Sequence, residues 1–115
     1  MTVRISGIVL DAADPPALAK FWSAATGFAV KVSNSDYAQL ETDGSIGHFF
    51  LIKVPEPKTA KNRCHMDFKA SDAEAEIERL VGLGAKKVAR HEMYGFPWTV
   101  MQDPEGNEFC VSDDH

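Results

Sequence analysis

Several features that would each narrow the identity of this chain are scarce or missing. Only two cysteines, Cys64 and Cys110, occur in 115 residues, too few for the disulfide framework that staples small secreted domains. No apolar run approaches the ~20 residues needed to cross a bilayer. The first residues, Met-Thr-Val-Arg-Ile, lack the basic-then-apolar build of a secretory signal. A cytoplasmic protein with no membrane partner is the resulting expectation. Basic runs are absent as well. With a formal net charge of −5 and dispersed lysines and arginines, most of the surface would repel a polyanion, which argues against nucleic acid. His115 reads equally as native sequence or as the stub of a tag, and is given no function.

What is present suits one ordinary globular domain over residues 1–115. Hydrophobic residues make up 44% and charged residues 25%, so there is material for a core and for a solvated skin. A chain of this length buries roughly two-thirds of its unfolded surface.

The order of elements repeats. Residues 3–10 (VRISGIVL) are rich in branched aliphatics and read as a strand. Asp14-Pro15-Pro16 then opens a helix: Asp14 can cap free amides, and proline suits the first helical position. Leu18, Phe21, Trp22 and Ala25 form its apolar stripe, and Gly27 ends it. Strands are predicted near 28–32, 36–41 and 48–54. Two prolines in Pro55-Glu56-Pro57 mark a linker over 55–62. Unit one is thus 1–54 and unit two 63–115. In unit two, RCHMDFK (63–69) reads as a strand and Ser71-Asp72-Ala73-Glu74 as a capping box. Ile77, Leu80 and Val81 form the second stripe, and Gly84 terminates it. Strands follow near 86–90, 96–102 and 107–112. A shift of 58 residues lays Asp14 on Asp72, and a shift of 57 lays Gly27 on Gly84. The predicted class is α+β, with two βαβββ units whose single helices leave one sheet face each uncovered. Two such sheets can curl around a hollow lined by alternate side chains.

This duplicated unit, with the segments IVLDAADP, FWSAATGF, CHMDF and DPEGNEFCV, resembles the glyoxalase/bleomycin-resistance (vicinal oxygen chelate) superfamily, glyoxalase-like branch. The resemblance spans essentially the whole chain. It implies a curled mixed sheet around a cleft, homodimerisation, and a small-molecule ligand. It leaves the reaction open, because the superfamily hosts lyases, isomerases, epimerases, dioxygenases and metal-free drug binders. It also implies four metal ligands, one on the first and one on the last strand of each unit. In unit two those positions fall on His65 and Cys110. In unit one they fall on Gly7 and Ile52, which offer no donor. A zinc ion normally takes at least three protein ligands, so the standard site is expected to be absent and no cofactor is expected, with a divalent metal as the alternative.

Strand parity points His65 and Asp67 toward the hollow and Met66 and Phe68 toward the helix. As a plain structural residue His65 would only hydrogen-bond a neighbour; as a functional one it is a general base steered by Asp67 or Glu108. Cys110 is either a small buried hydrophobe or a soft ligand, and Cys64, of opposite parity, is expected in the core. Glu108 reads as an edge carboxylate or a carbonyl-facing group. Trp98 is a ligand-stacking face or a packing residue. Phe50 and Ile52 make unit one's share of the hollow apolar, unless a one-residue slip presents Phe49 and Leu51. Asp103-Pro104-Glu105-Gly106-Asn107 is a turn before the last strand.

Three accounts compete. In one, the protein binds a small molecule without a standard metal centre, as a sequestering protein or as an enzyme using His65. In another, it is a metal-dependent lyase, isomerase or dioxygenase, ligated by His65, Cys110 and a third group such as Glu108, Asp67 or His48. In the last, it is an interaction module without a pocket.

Overall fold

The computed structural model describes residues 2–114; Met1 and His115, including the reading of His115 as tag or native residue, lie outside the described residues. The chain forms two compact units, Met1–Pro57 and Lys58–His115. Each contains a four-stranded mixed sheet and one helix, the α+β arrangement that the sequence predicts.

Unit one runs β1 (Gly7–Ala12), α1 (Pro15–Thr26), β2 (Ala29–Ser33), β3 (Tyr37–Glu41) and β4 (His48–Lys53). Its strand order is β1-β4-β3-β2, with β1 parallel to β4 and the remaining pairs antiparallel. Helix α1 starts where Asp14 accepts a hydrogen bond from the Ala17 amide at 3.2 Å. It ends at Gly27, whose φ of 82° turns the chain out of the helix and whose N–H reaches the Ser23 carbonyl. Leu18, Phe21 and Trp22 are buried on the sheet beside Phe49, Leu40 and Leu51. The Trp22 and Phe49 ring centroids lie 6.1 Å apart. Burying Phe49 against the helix fixes the register of β4, because a one-residue slip would turn that ring to the opposite face.

Unit two runs β5 (Met66–Ala70), α2 (Ala73–Gly82), β6 (Lys86–Met93), β7 (Phe96–Gln102) and β8 (Glu108–Asp113). Its order, β5-β8-β7-β6, repeats that of unit one, again with the first strand parallel to the last. Ile77 and Leu80 of α2 are buried, as are Met101, Phe109 and Val111 of the sheet.

Four local expectations are corrected. The first strand begins at Gly7 rather than residue 3, because its partner β4 begins at His48; Val3 and Ile5 are exposed despite their β propensity. The cap of α2 is Asp72, not a Ser71–Glu74 box: Asp72 accepts from the Ala75 amide at 3.1 Å, and Asp113 of β8 takes the Ala73 amide at 2.8 Å. Val81 is about half exposed, since the helix ends one residue later and Leu83, not Gly84, caps it. Cys64 is exposed rather than core, because β5 starts only at Met66 and strand parity does not extend back to it.

Candidate functional site

Helix α2 covers one face of the unit-two sheet, where Thr99, Met101, Phe109 and Val111 point inward. By the period of two, Trp98, Val100 and Cys110 project from the opposite face. That face forms a cleft of about 610 Å³.

His65, Asp67 and Cys110 meet on its floor. His65 immediately precedes β5, Asp67 lies within it, and Cys110 is the direct partner of Asp67 on β8. The imidazole Nδ1 is 3.8 Å from the Cys110 sulfur and 3.6 Å from Asp67 Oδ1. The last contact is an ion pair when the imidazole is protonated. Burial pushes the Cys110 thiol above its usual range, and the nearby Asp67 charge pushes in the same direction. Both effects disfavour the thiolate, so Cys110 is not set up as an activated nucleophile. Cys110 is 6% exposed while Asp67 and His65 are open to solvent, so the trio joins a buried soft atom to accessible polar ones.

The wall of the cleft is aromatic and aliphatic. Trp98 lies opposite His91 across the β6–β7 hairpin, with ring centroids 5.7 Å apart and planes tilted by 34°. Phe96 and Val100 continue the wall along β7. The pairing of Met93 with Phe96 leaves only Tyr94-Gly95 as the turn, both with positive φ, as tight two-residue hairpins require.

Of the residues singled out from sequence, His65, Asp67, Cys110 and Trp98 share this cleft. Glu108 has another task. It is buried, and its carboxylate accepts from the Asn62 amide at 2.8 Å, from Gln102 Nε2 at 3.2 Å and from Lys58 Nζ at 3.2 Å. Burial raises a carboxyl pKa, but these donors outweigh it and hold Glu108 at about 2. It anchors residues 58–62, part of the segment read as linker, onto unit two.

Phe50 and Ile52 lie on β4 of unit one. The β1–β4 register sets Phe50 beside Val9 and Ile52 beside Asp11, whereas Cys110 is beside Asp67. With Val9 corresponding to Asp67, the counterpart of Cys110 is Phe50, two residues from the position expected at Ile52 and on the same face. At Gly7 a Cβ would lie 2.3 Å from the His48 carbonyl oxygen and 2.5–2.6 Å from its ring carbons. The His48 ring, which meets the Ser6 hydroxyl at 3.3 Å, occupies the space beside Gly7. Sequence reasoning missed Lys61, Lys69 and His91 in the cleft. Lys69 was legible from parity with Asp67, and His91 from counting back across the two-residue turn.

The three ligand atoms of His65, Asp67 and Cys110 lie within 4.8 Å of one another, compatible with a tetrahedral ion of zinc type that keeps one position open. The four-donor set implied by resemblance is not matched, since neither Gly7 nor Phe50 can ligate. If an ion is bound, His65, Asp67 and Cys110 would hold it, and it would polarise a carbonyl or acidify a water.

Two βαβββ units with an open-faced cleft define the glyoxalase/bleomycin-resistance class of folds. The sequence matches the glyoxalase-like domain family over residues 7–112, and the chain belongs to that family. No curated protein matches at a significant level. Among solved structures it is similar to a glyoxalase/bleomycin resistance protein/dioxygenase family enzyme from Burkholderia phytofirmans PsJN, with a TM-score of 0.78 and 16% identity over 96% of this chain and 98% of that one. A genomically encoded fosfomycin resistance protein from Listeria monocytogenes gives 0.78 at 14% identity, covering 100% and 96%. The bleomycin-binding protein of Streptomyces verticillus, complexed with copper(II)-bleomycin, gives 0.64 at 21% identity, covering 99% and 100%. At these identities the likeness establishes the fold.

Proposed function

We propose that this protein binds a small molecule in the cleft of unit two, without the standard four-donor metal centre of the superfamily. The observation that carries this reading is a cleft with an aromatic wall at Trp98 and Phe96 and a polar floor at His65, Asp67 and Cys110. Such a surface suits a ligand with an apolar body and one polar end. Similarity to a bleomycin-binding protein and a fosfomycin resistance protein supports a small-molecule ligand. The protein then either sequesters its ligand or acts on it with His65 as acid–base, its Nδ1 steered by Asp67. Elemental analysis of protein purified without added metal, with mass spectrometry of co-purifying compounds, tests the reading. A retained organic ligand with substoichiometric metal supports it, and one tightly held divalent ion per chain refutes it.

The second reading, a metal-dependent lyase, isomerase or dioxygenase, is favoured by the three-donor cluster. Under it, chelation abolishes an activity that divalent ions restore, and Cys110→Ser weakens metal retention. Ligand binding that is equal before and after chelation counts against it.

A further inference from the structure

The cleft's side chains fall into rows across the sheet. One row runs Asp67, Cys110, Val100, Ala89 through direct strand pairs. The neighbouring row begins with Lys69 paired to Ser112 and ends with Trp98 paired to His91. Trp98 and Ser112 each stand one residue beyond the Thr99–Val111 pair, so the two halves of this row adjoin. An ammonium and an indole N–H can only donate hydrogen bonds, and a hydroxyl and an imidazole can each donate one. The second row is therefore a continuous line of donors. Lys61, from the segment before β5, adds another cation to the lining.

The charge of the cleft also differs from that of the chain. The protein carries a formal −5, yet among the described residues the ionisable groups lining the cleft are Lys61, Lys69, His65 and His91 against one carboxylate, Asp67, and the Cys110 thiol. That carboxylate belongs to the other row and has the His65 imidazole 3.6 Å away. Two lysines against one aspartate leave the lining with a net positive formal charge inside an acidic chain, and such a local excess concentrates ligands of the opposite sign.

We propose that the cleft selects an anionic ligand, a carboxylate or phosphate carried on a flat apolar frame. The anion lies along the Lys69–Ser112–Trp98–His91 row and the frame against the Trp98–Phe96 wall. This deepens the small-molecule reading and rests on it.

Three matched probes test it: naphthalene-2-carboxylate, 2-naphthyl phosphate and the neutral naphthalene-2-carboxamide, titrated by calorimetry and by tryptophan fluorescence. The expected result is that at least one anion binds about tenfold or more tighter than the amide, and the better of the two identifies the anion class. Lys69→Met should remove most of that preference, weakening the anions far more than the amide. Trp98→Phe should remove the fluorescence response and leave only buried Trp22. Equal affinities for amide and anions would overturn the anion proposal while leaving the small-molecule reading intact. An anion preference that survives Lys69→Met combined with Lys61→Met would overturn it too, because the cleft's lysines would not be its source. No binding of any probe by either method would count against both.

Discussion

Glu108 gathers three donors onto one buried carboxylate, and its protonation is linked to folding. Its folded pKa of about 2 lies below the ordinary 4.5. The stabilisation is therefore present above about pH 4.5 and is lost as pH falls through 4.5 toward 2. A shift of this size corresponds to something on the order of 3 kcal/mol. Glu108→Gln should lower stability at pH 7 and flatten its decline between pH 5 and pH 2, as read from urea midpoints at each pH. At the cysteines the outcome is set by burial and charge. Exposed Cys64 should be alkylated by iodoacetamide at neutral pH well before Cys110, whose thiol is buried and opposed by Asp67. Asp67→Asn removes that opposing charge, so it should speed labelling of Cys110 relative to wild type, measured by peptide mapping.

Elements in the two units begin by the same device. Asp14 and Asp72 each accept an amide hydrogen bond from the residue three positions on, at 3.2 and 3.1 Å. Replacing either by alanine should cost about 1 kcal/mol, visible as a lowered urea midpoint with an unchanged slope. Strand β1 depends on the absence of a side chain at Gly7. An added methyl meets the His48 carbonyl and ring at 2.3–2.6 Å, and the carbonyl cannot rotate away without breaking the β1–β4 pairing. Gly7→Ala should therefore destabilise by roughly 1–3 kcal/mol, more than an alanine substitution at exposed Gly82, around which open space remains.

No helix among the described residues is long and apolar enough to cross a membrane. The resemblance implies a homodimer, and sedimentation equilibrium should return the mass of two chains. A single-chain mass at micromolar concentration would remove that expectation. Lys61 and Lys69 set the cleft apart from the acidic excess of the chain, so binding of an anionic probe there should weaken as salt rises while overall stability changes little.

The sequence by itself determined the repeat, the α+β class, both helices and the succession of strands along the chain. These follow from short-range physics: aspartate caps, prolines that cannot pair, and apolar stripes with periods of 2 and 3.6. It also supplied the parity that turns Asp67 and Cys110 to the same face, because alternation is a local property of a strand. Only the tertiary structure decided which residues on separate strands become neighbours. Register between β5 and β8 placed Asp67 beside Cys110, and the β6–β7 pairing set His91 against Trp98. The fold also assigned Glu108 to an anchor rather than to the cleft. That outcome depended on Lys58, Asn62 and Gln102 converging on it, and no local pattern in the sequence encodes such long-range pairing.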